Sequence, residues 1–170
     1  RLTRQGLDVI IVDRELPGKG STAASTSMLL WEIDRPLRQL SEAYGFERAA
    51  RAYRASLDAV AGLQTLVAQL GIACDMRAMN SLYLASEESN ASLREEHRCR
   101  ARAGLPGAFL DHAMLLDNFG IARAGALVSP GAADSDPLQL SLGLLRAAAA
   151  RGARLFEAEA IAFDAAGSSV

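Results

Sequence analysis

The run Leu7 to Asp13 (LDVIIVD) constrains this chain more than any other stretch. It is β-branched, nearly all apolar, and it follows Gly6 at once. A continuous apolar run of this length, set between a glycine and a charged turn, predicts a strand buried on both faces of a parallel sheet. Leu2 to Gly6 before it reads as the end of a helix stopped by glycine. Helix, glycine, buried strand and terminal acid together make the second half of a βαβ unit. The expected fold class is therefore α/β, with the first strand of that unit lying before Arg1.

The rest of the chain changes texture twice. Arg14 to Gly20 is a turn containing Gly and Pro, and Ser21 offers an N-cap for a short segment from Thr22 to Leu30. From Pro36 the pattern becomes amphipathic helix. One helix runs from Pro36 to Ala43 and closes near Gly45. A longer one runs from Glu47 to Leu70, with Ala50, Tyr53, Leu57, Val60, Leu63, Val67 and Leu70 at helical spacing, and Gly71 ends it. Cys74 to Met79 and Ser81 to Ala85 read as two short strands around a turn at Asn80. Glu87 to Ala103 is an arginine-studded helix, Asp111 caps another to about Phe119, and Ala126 to Ala132 is extended. Pro137 sits in the first turn of a helix running to Arg151. Gly152 terminates that helix, and Arg154 to Phe163 is a further strand candidate. The expected organisation is a nucleotide-type sheet from residues 1–30 and 137–170. A mainly helical α+β segment, residues 31–136, interrupts it.

Composition narrows the function. Half of the 170 residues are apolar and 22% are charged, which argues against disorder. Lys plus Arg number 18 against 20 for Asp plus Glu, a net charge of −2, so a nucleic-acid binder acting through bulk charge is not expected. No apolar run approaches the ~20 residues that span a bilayer. Cys74 and Cys99 are too few for a disulfide scaffold and lack metal-ligand spacing. The expectation is a cytoplasmic globular protein without a metal site.

Asp13 is the most informative single residue. A carboxylate at the end of the second strand of a dinucleotide fold accepts hydrogen bonds from ribose hydroxyls and disfavours a 2′-phosphate. An ordinary acid closing a strand would look the same. The glycine fingerprint that accompanies such an acid lies roughly 20 residues earlier, which is before Arg1. The GKGST stretch, Gly18 to Thr22, is not a P-loop, because Gly20 follows Lys19 and Asp13 stands where the pattern needs Gly. Ser21, Thr22, Ser25 and Thr26 still supply hydroxyls and amides at a helix start, which suits a pyrophosphate or simply a capped, closely packed helix. His97 and His112 stand alone and read as surface or helix-end residues. Cys99 lies in the basic stretch Arg94 to Arg102, which would lower its pKa unless that stretch is only a solvated helix face. Tyr44, Phe46 and Tyr53 are expected to pack helices together.

These pieces, in this order, resemble the flavoprotein family of D-amino-acid oxidase and glycine oxidase. LTRQGLDVIIVDRE matches that family's helix–glycine–strand entry ending in an acid. GKGSTAASTSML is similar to its glycine and small-hydroxyl segment leading into a helix. PLQLSLGLLRAAAARGARLFEAEAIAFD is similar to its later helix–turn–strand unit. The resemblance implies a partial FAD-binding Rossmann-like domain carrying a substrate-domain segment. It also implies oxidation of a small-molecule amine or amino acid by hydride transfer to FAD. By resemblance, Asp13 would bind the adenosine ribose, with Arg14 beside the adenine or ribose. Ser21 and Thr22 would lie near the pyrophosphate. Ser25, Thr26, Ser27 and Met28 would approach the flavin ring, and the backbone of Ile161 would meet the adenine. The family often has Gly just before that Met, where this chain has Ser27. Its substrate-carboxylate arginine belongs to a C-terminal part that would follow Val170, so no catalytic residue is assigned, and the 170 residues alone are expected to bind FAD poorly. Two alternatives are a non-enzymatic interaction module and a nicotinamide-linked Rossmann oxidoreductase.

Overall fold

The computed structural model describes residues 2–15, 17–85 and 90–162. The chain divides into two compact units, one of Arg1–Ser27, Leu70–Cys74 and Asp136–Val170, the other of Met28–Gln69 and Asp75–Ser135.

In the first unit a 3-10 turn, Leu2–Gln5, stops at Gly6 and leads into strand β1, Ile10–Asp13. Its partner is the later strand β6, Arg154–Glu157, and the two run parallel with Ile10 beside Arg154 and Asp13 beside Glu157. Helix α5, Pro137–Ala149, precedes β6 and has its start written into the local sequence. Asp136 accepts the Gln139 N–H at 2.9 Å, and Pro137 occupies a position where its missing N–H costs nothing. Gly143 of this helix meets Ile72, where a Cβ would come within 2.3 Å of the Ile72 Cγ2 atom.

Three expectations change here. The strand at Leu7 to Asp13 is shorter than its apolar run and is not buried on both faces: Ile10 is 54% exposed and Val12 47%. Among the described residues β1 has β6 as its one paired strand, and the alternate side chains Val9 and Ile11 are partly buried. Strand β6 likewise ends at Glu157, well before Phe163, which lies outside the described residues. The segment from Thr22 to Leu30 is not a helix. Ala23, Ala24 and Ser25 donate to the carbonyls of Gly20, Ser21 and Thr22, making overlapping four-residue turns that then stop. Ser27 ends them with φ +57°, a left-handed conformation from which a right-handed helix cannot continue, and the Ser25 hydroxyl accepts the Ser27 N–H at 3.0 Å.

The second unit is built on an antiparallel sheet. Strand β5, Gly125–Asp134, lies at its centre, flanked by β2 (Met28–Leu29), β3 (Arg77–Leu84) and β4 (Ala108–Asp111). The two strands expected around Asn80 are one strand, because both halves pair with β5. The irregularity between Met79 and Asn80 is taken up on the other side: Met79 pairs with Ala132 and Asn80 with Pro130, leaving Gly131 (φ +94°) as the extra residue. The indole N–H of Trp31 donates to the Pro130 carbonyl at 2.8 Å beside this bulge.

Among the described residues four helices complete the unit: α1 (Leu37–Tyr44), α2 (Phe46–Leu70), α3 (Asn90–Arg102) and α4 (His112–Phe119). Residues 87–89 of the expected third helix lie outside the described residues. Asp111 caps α4 by accepting the Met114 N–H at 3.0 Å, and Gly120 closes it in a left-handed turn. The main core joins Trp31, Leu37, Ala49, Ala50, Tyr53 and Val60 with Ala103, Leu105 and Ala133. Tyr53 meets Trp31 edge-on with ring centres 6.2 Å apart, and Phe46 packs against the same core. Tyr44 does not pack: it ends α1 next to Gly45 and is 60% exposed.

Gly143→Ala should lower stability by about 2 kcal/mol in urea unfolding, because the added methyl drives into Ile72. Gly62→Ala, in the middle of α2 with nothing within 4 Å of its Cβ position, should raise stability by up to about 1 kcal/mol.

Candidate functional site

Parallel strands bring their C-terminal ends together, and in α/β folds that is where ligands bind. In the first unit, the ends of β1 and β6 line an open cavity of about 560 Å³. Asp13 is the last residue of β1, and its Oδ1 accepts the Glu15 N–H at 3.3 Å. The Ala158 N–H donates to the Asp13 carbonyl at 2.9 Å, which holds the two strand ends side by side. Arg14, Glu15, Gly18, Gly20, Ser21 and Thr22 continue the wall from one side, with Ala158, Glu159 and Ala160 from the other. At Gly18 (φ +85°) a Cβ would fall 2.6 Å from Leu138, so glycine keeps the wall close to α5.

Of the candidate residues, the cavity unites Asp13, Arg14, Ser21 and Thr22. Ser25, Thr26 and Ser27 lie outside its lining, with Ser27 buried and the other two exposed. Ile161 also lies outside the lining and is 93% exposed. Met28 opens β2 in the second unit, pairs with Asp134 and is 62% exposed. Glu15 and Glu159 were not among the candidates. Glu15 follows the strand-ending acid by two residues, and its amide closes the Asp13 turn, a local pattern the sequence displays. Glu159 became visible only when β6 paired with β1.

The second unit holds a buried charged cluster that no local pattern announces. Arg100 of α3 reaches the Glu96 carboxylate at 2.7 Å and that of Glu32 at 3.6 Å, with all three side chains nearly enclosed. The Ser81 hydroxyl donates to Glu32. Glu32 Oε2 is buried without a partner among the described residues. Glu96 also accepts the Leu37 and Arg38 N–H groups, each at 2.9 Å, so it caps α1 from 59 residues away. Pro36, at the cap position itself, offers no acceptor side chain.

Cys99 is not acidified by the basic stretch around it. Burial pushes its thiol pKa up, outweighing the Ser41 hydroxyl and the Arg102 and Arg38 charges that pull it down. The arginines around it are engaged elsewhere: Arg94 lies over the Phe109 ring, Arg100 on Glu96, and Arg102 over Phe46. His112 is exposed at the start of α4, its Nδ1 2.9 Å from the Arg123 carbonyl, and His97 is half-buried on α3. No group of three or more potential metal ligands occurs among the described residues, and none of their helices is long and apolar enough to cross a membrane.

A family model described as FAD dependent oxidoreductase matches residues 1–170. The fold is similar to that of glycine oxidase from Geobacillus kaustophilus, with a TM-score of 0.69 at 24% identity over 92% of this chain and 41% of that one. L-Proline dehydrogenase from P. horikoshii superposes with a TM-score of 0.70 at 15% identity, covering 92% of this chain and 39% of that one. YhfW of Bacillus subtilis, named for a Rieske 2Fe-2S iron–sulfur protein, is 24% identical over 164 residues, 96% of this chain and 31% of that protein. The chain thus spans less than half the length of each.

Two outcomes follow from the buried cluster. Arg100→Met should cost about 3–5 kcal/mol in chemical unfolding, since it strands two enclosed carboxylates. Tyr53, whose hydroxyl donates to the Arg35 carbonyl at 2.7 Å, has its pKa pushed up from 10.0 to about 12, chiefly by burial. The folded state therefore holds this proton more tightly than the unfolded one. Its stabilisation should be intact below pH 10 and lost as pH rises to about 12, and tyrosinate absorbance would register the late ionisation.

Proposed function

Because the chain belongs to the FAD-dependent oxidoreductase family, we propose that the cavity at the ends of β1 and β6 receives the adenosine end of FAD. The reaction proposed is oxidation of an amine or amino acid. One observation carries this reading. Asp13 stands at the tip of a parallel strand beside an open cavity, with Oδ1 engaged by the Glu15 amide and no partner for Oδ2 among the described residues. A carboxylate so held is ready to accept a ribose hydroxyl. The residues fit a nucleoside: the cavity is large enough, it opens at the strand ends, and glycines at positions 18 and 20 keep its rim low.

When bound, FAD supplies the two-electron acceptor for a hydride leaving a carbon that bears nitrogen, which converts an amine to an imine. The part proposed for this chain is to bind and orient. Asp13 anchors the ribose, and Arg14 lies along the adenosine. Ser21 and Thr22 offer hydroxyls and amides toward the pyrophosphate. Ile161 would meet the adenine through its backbone, and Ser25, Thr26, Ser27 and Met28 would approach the flavin ring. Residues 1–30 and 137–170 then form the cofactor-binding part and residues 31–136 the substrate part. Neighbours named for glycine oxidation and L-proline dehydrogenation support an amine or amino-acid substrate. The family depends on FAD, which removes the nicotinamide alternative.

Asp13→Ala should weaken FAD binding by about tenfold in a fluorescence-quenching titration, the worth of a charge-assisted hydrogen bond at an exposed site. Asp13→Asn should fall between the two. Unchanged affinity in Asp13→Ala would sink the assignment of this cavity.

A further inference from the structure

Helix α3 carries Arg94, Arg98 and Arg102, one on each successive turn, so all three leave the same face. Their Cα atoms span about 12 Å at the helical rise. All three are exposed, in a chain whose net charge is −2. Like charges at this spacing repel, yet none of the three pairs with a carboxylate among the described residues. Arg94 lies over the Phe109 ring at 4.0 Å and Arg102 over the Phe46 ring at 3.8 Å, which holds both guanidiniums in place. Arg98, between them, has no hydrogen bond, ion pair or ring contact among the described residues. Helix α1 lies beside α3 and runs the same way: Arg38 meets Glu96, Ser41 meets Cys99, and Phe46, just past α1, meets Arg102. Tyr44, at the end of α1 and exposed, therefore lies at the Arg102 end of the pair. Glu42 and Glu95, the acids these two helices leave outside the core, are both taken by Arg38, at 2.7 and 3.9 Å. Three guanidiniums remain without a counter-charge among the described residues.

We propose that this face of α3, with Tyr44 at its end, docks an acidic segment of another protein whose carboxylates recur about one helical turn apart. Arginine and tyrosine are enriched where protein interfaces hold their binding energy. A guanidinium already seated against a ring loses little freedom on meeting a carboxylate, and its planar fork fits both oxygens. The partner's acids also relieve the repulsion among the three arginines, which favours the bound state further. Nucleic acid suits the face less well. Glu95 borders it, one residue after Arg94, and an unbroken row of phosphates would have to pass that carboxylate. A protein segment can set its acids opposite the arginines and leave the place opposite Glu95 neutral or basic. The proposal stands apart from the cofactor reading and draws on none of its residues.

The test is fluorescence anisotropy with three labelled probes: an alanine-rich helical peptide with glutamate at every fourth position, a scrambled peptide of the same composition, and oligothymidylate. The spaced peptide should bind at least about threefold tighter than the scrambled one, and added salt should weaken it. Replacing Arg94, Arg98 and Arg102 together by glutamine should lower its affinity by about tenfold or more, and Tyr44→Ala by about threefold. Arg98→Glu alone should lower it by about tenfold, and because Arg98 touches nothing this variant keeps the fold even where the triple one does not. Arg146→Gln, an exposed arginine on α5, should leave the affinity unchanged. Equal affinity for the spaced and scrambled peptides overturns the proposal, as does an Arg98→Glu variant that binds like the unsubstituted protein. An equal loss in Arg146→Gln overturns it as well, since the attraction is then one of overall charge. Oligothymidylate binding tighter than the spaced peptide assigns the face to nucleic acid instead.

Discussion

Arg100 is the residue on which the second unit closes. A guanidinium removed from water is tolerable only where carboxylates and hydroxyls replace its hydration, and here they arrive from separate parts of the chain. Glu96 comes from the preceding turn of α3, Glu32 from the segment after β2, and the Ser129 hydroxyl from β5 at 3.4 Å. The rings of Trp31 and Tyr53 lie 5.5 and 5.7 Å from the guanidinium carbon and exclude water from it. Charge, hydrogen bonding and aromatic packing thus converge on one point. The consequence for α1 is direct. Its first amides are satisfied by Glu96, so this helix start is completed only when α3 is docked.

The first unit follows a different logic. Two parallel strands leave their apolar side chains largely open: Leu155 is 40% exposed and Phe156 50%. What they achieve is alignment at their ends. Pairing Asp13 with Glu157 sets the residues that follow each strand across from one another, which creates the cavity and its acidic lining. Its chemistry depends on strand register in the strict sense. A slip of one residue would turn Asp13 to the other face and dissolve the constellation.

Local signals were legible wherever the partner was close in sequence. The cap at Asp111, the proline in the first turn of α5, the glycine stops at Gly45 and Gly71, and the apolar stripe along α2 all act within a turn or two, and each lies where the residue pattern indicates. Misreadings arose where a distant group overrode the pattern. Asn80 has the look of a turn residue, yet β5 pairs with both sides of it and turns the break into a bulge. The hydroxyl-rich stretch after Gly20 looks like a helix start, yet Ser27 adopts a left-handed conformation and Met28 is drawn into the sheet. Ser27 carries a Cβ at a positive φ, where glycine would meet no such penalty. At Cys99 burial outweighs the basic neighbours and pushes the thiol pKa up, which no local run of residues displays.

The α/β class, the helices of the middle segment, and Asp13 as an acid ending a strand could all be read from the residues in order. Periodicity, capping and glycine placement are short-range effects, and they are written residue by residue. The tertiary structure alone decided which strand lies beside Asp13, that Glu159 shares its cavity, and that Glu96 both caps α1 and holds Arg100. Those depend on contacts between residues far apart in the chain. Closing such loops costs entropy that only the assembled packing and pairing repay, so no local window of sequence contains them.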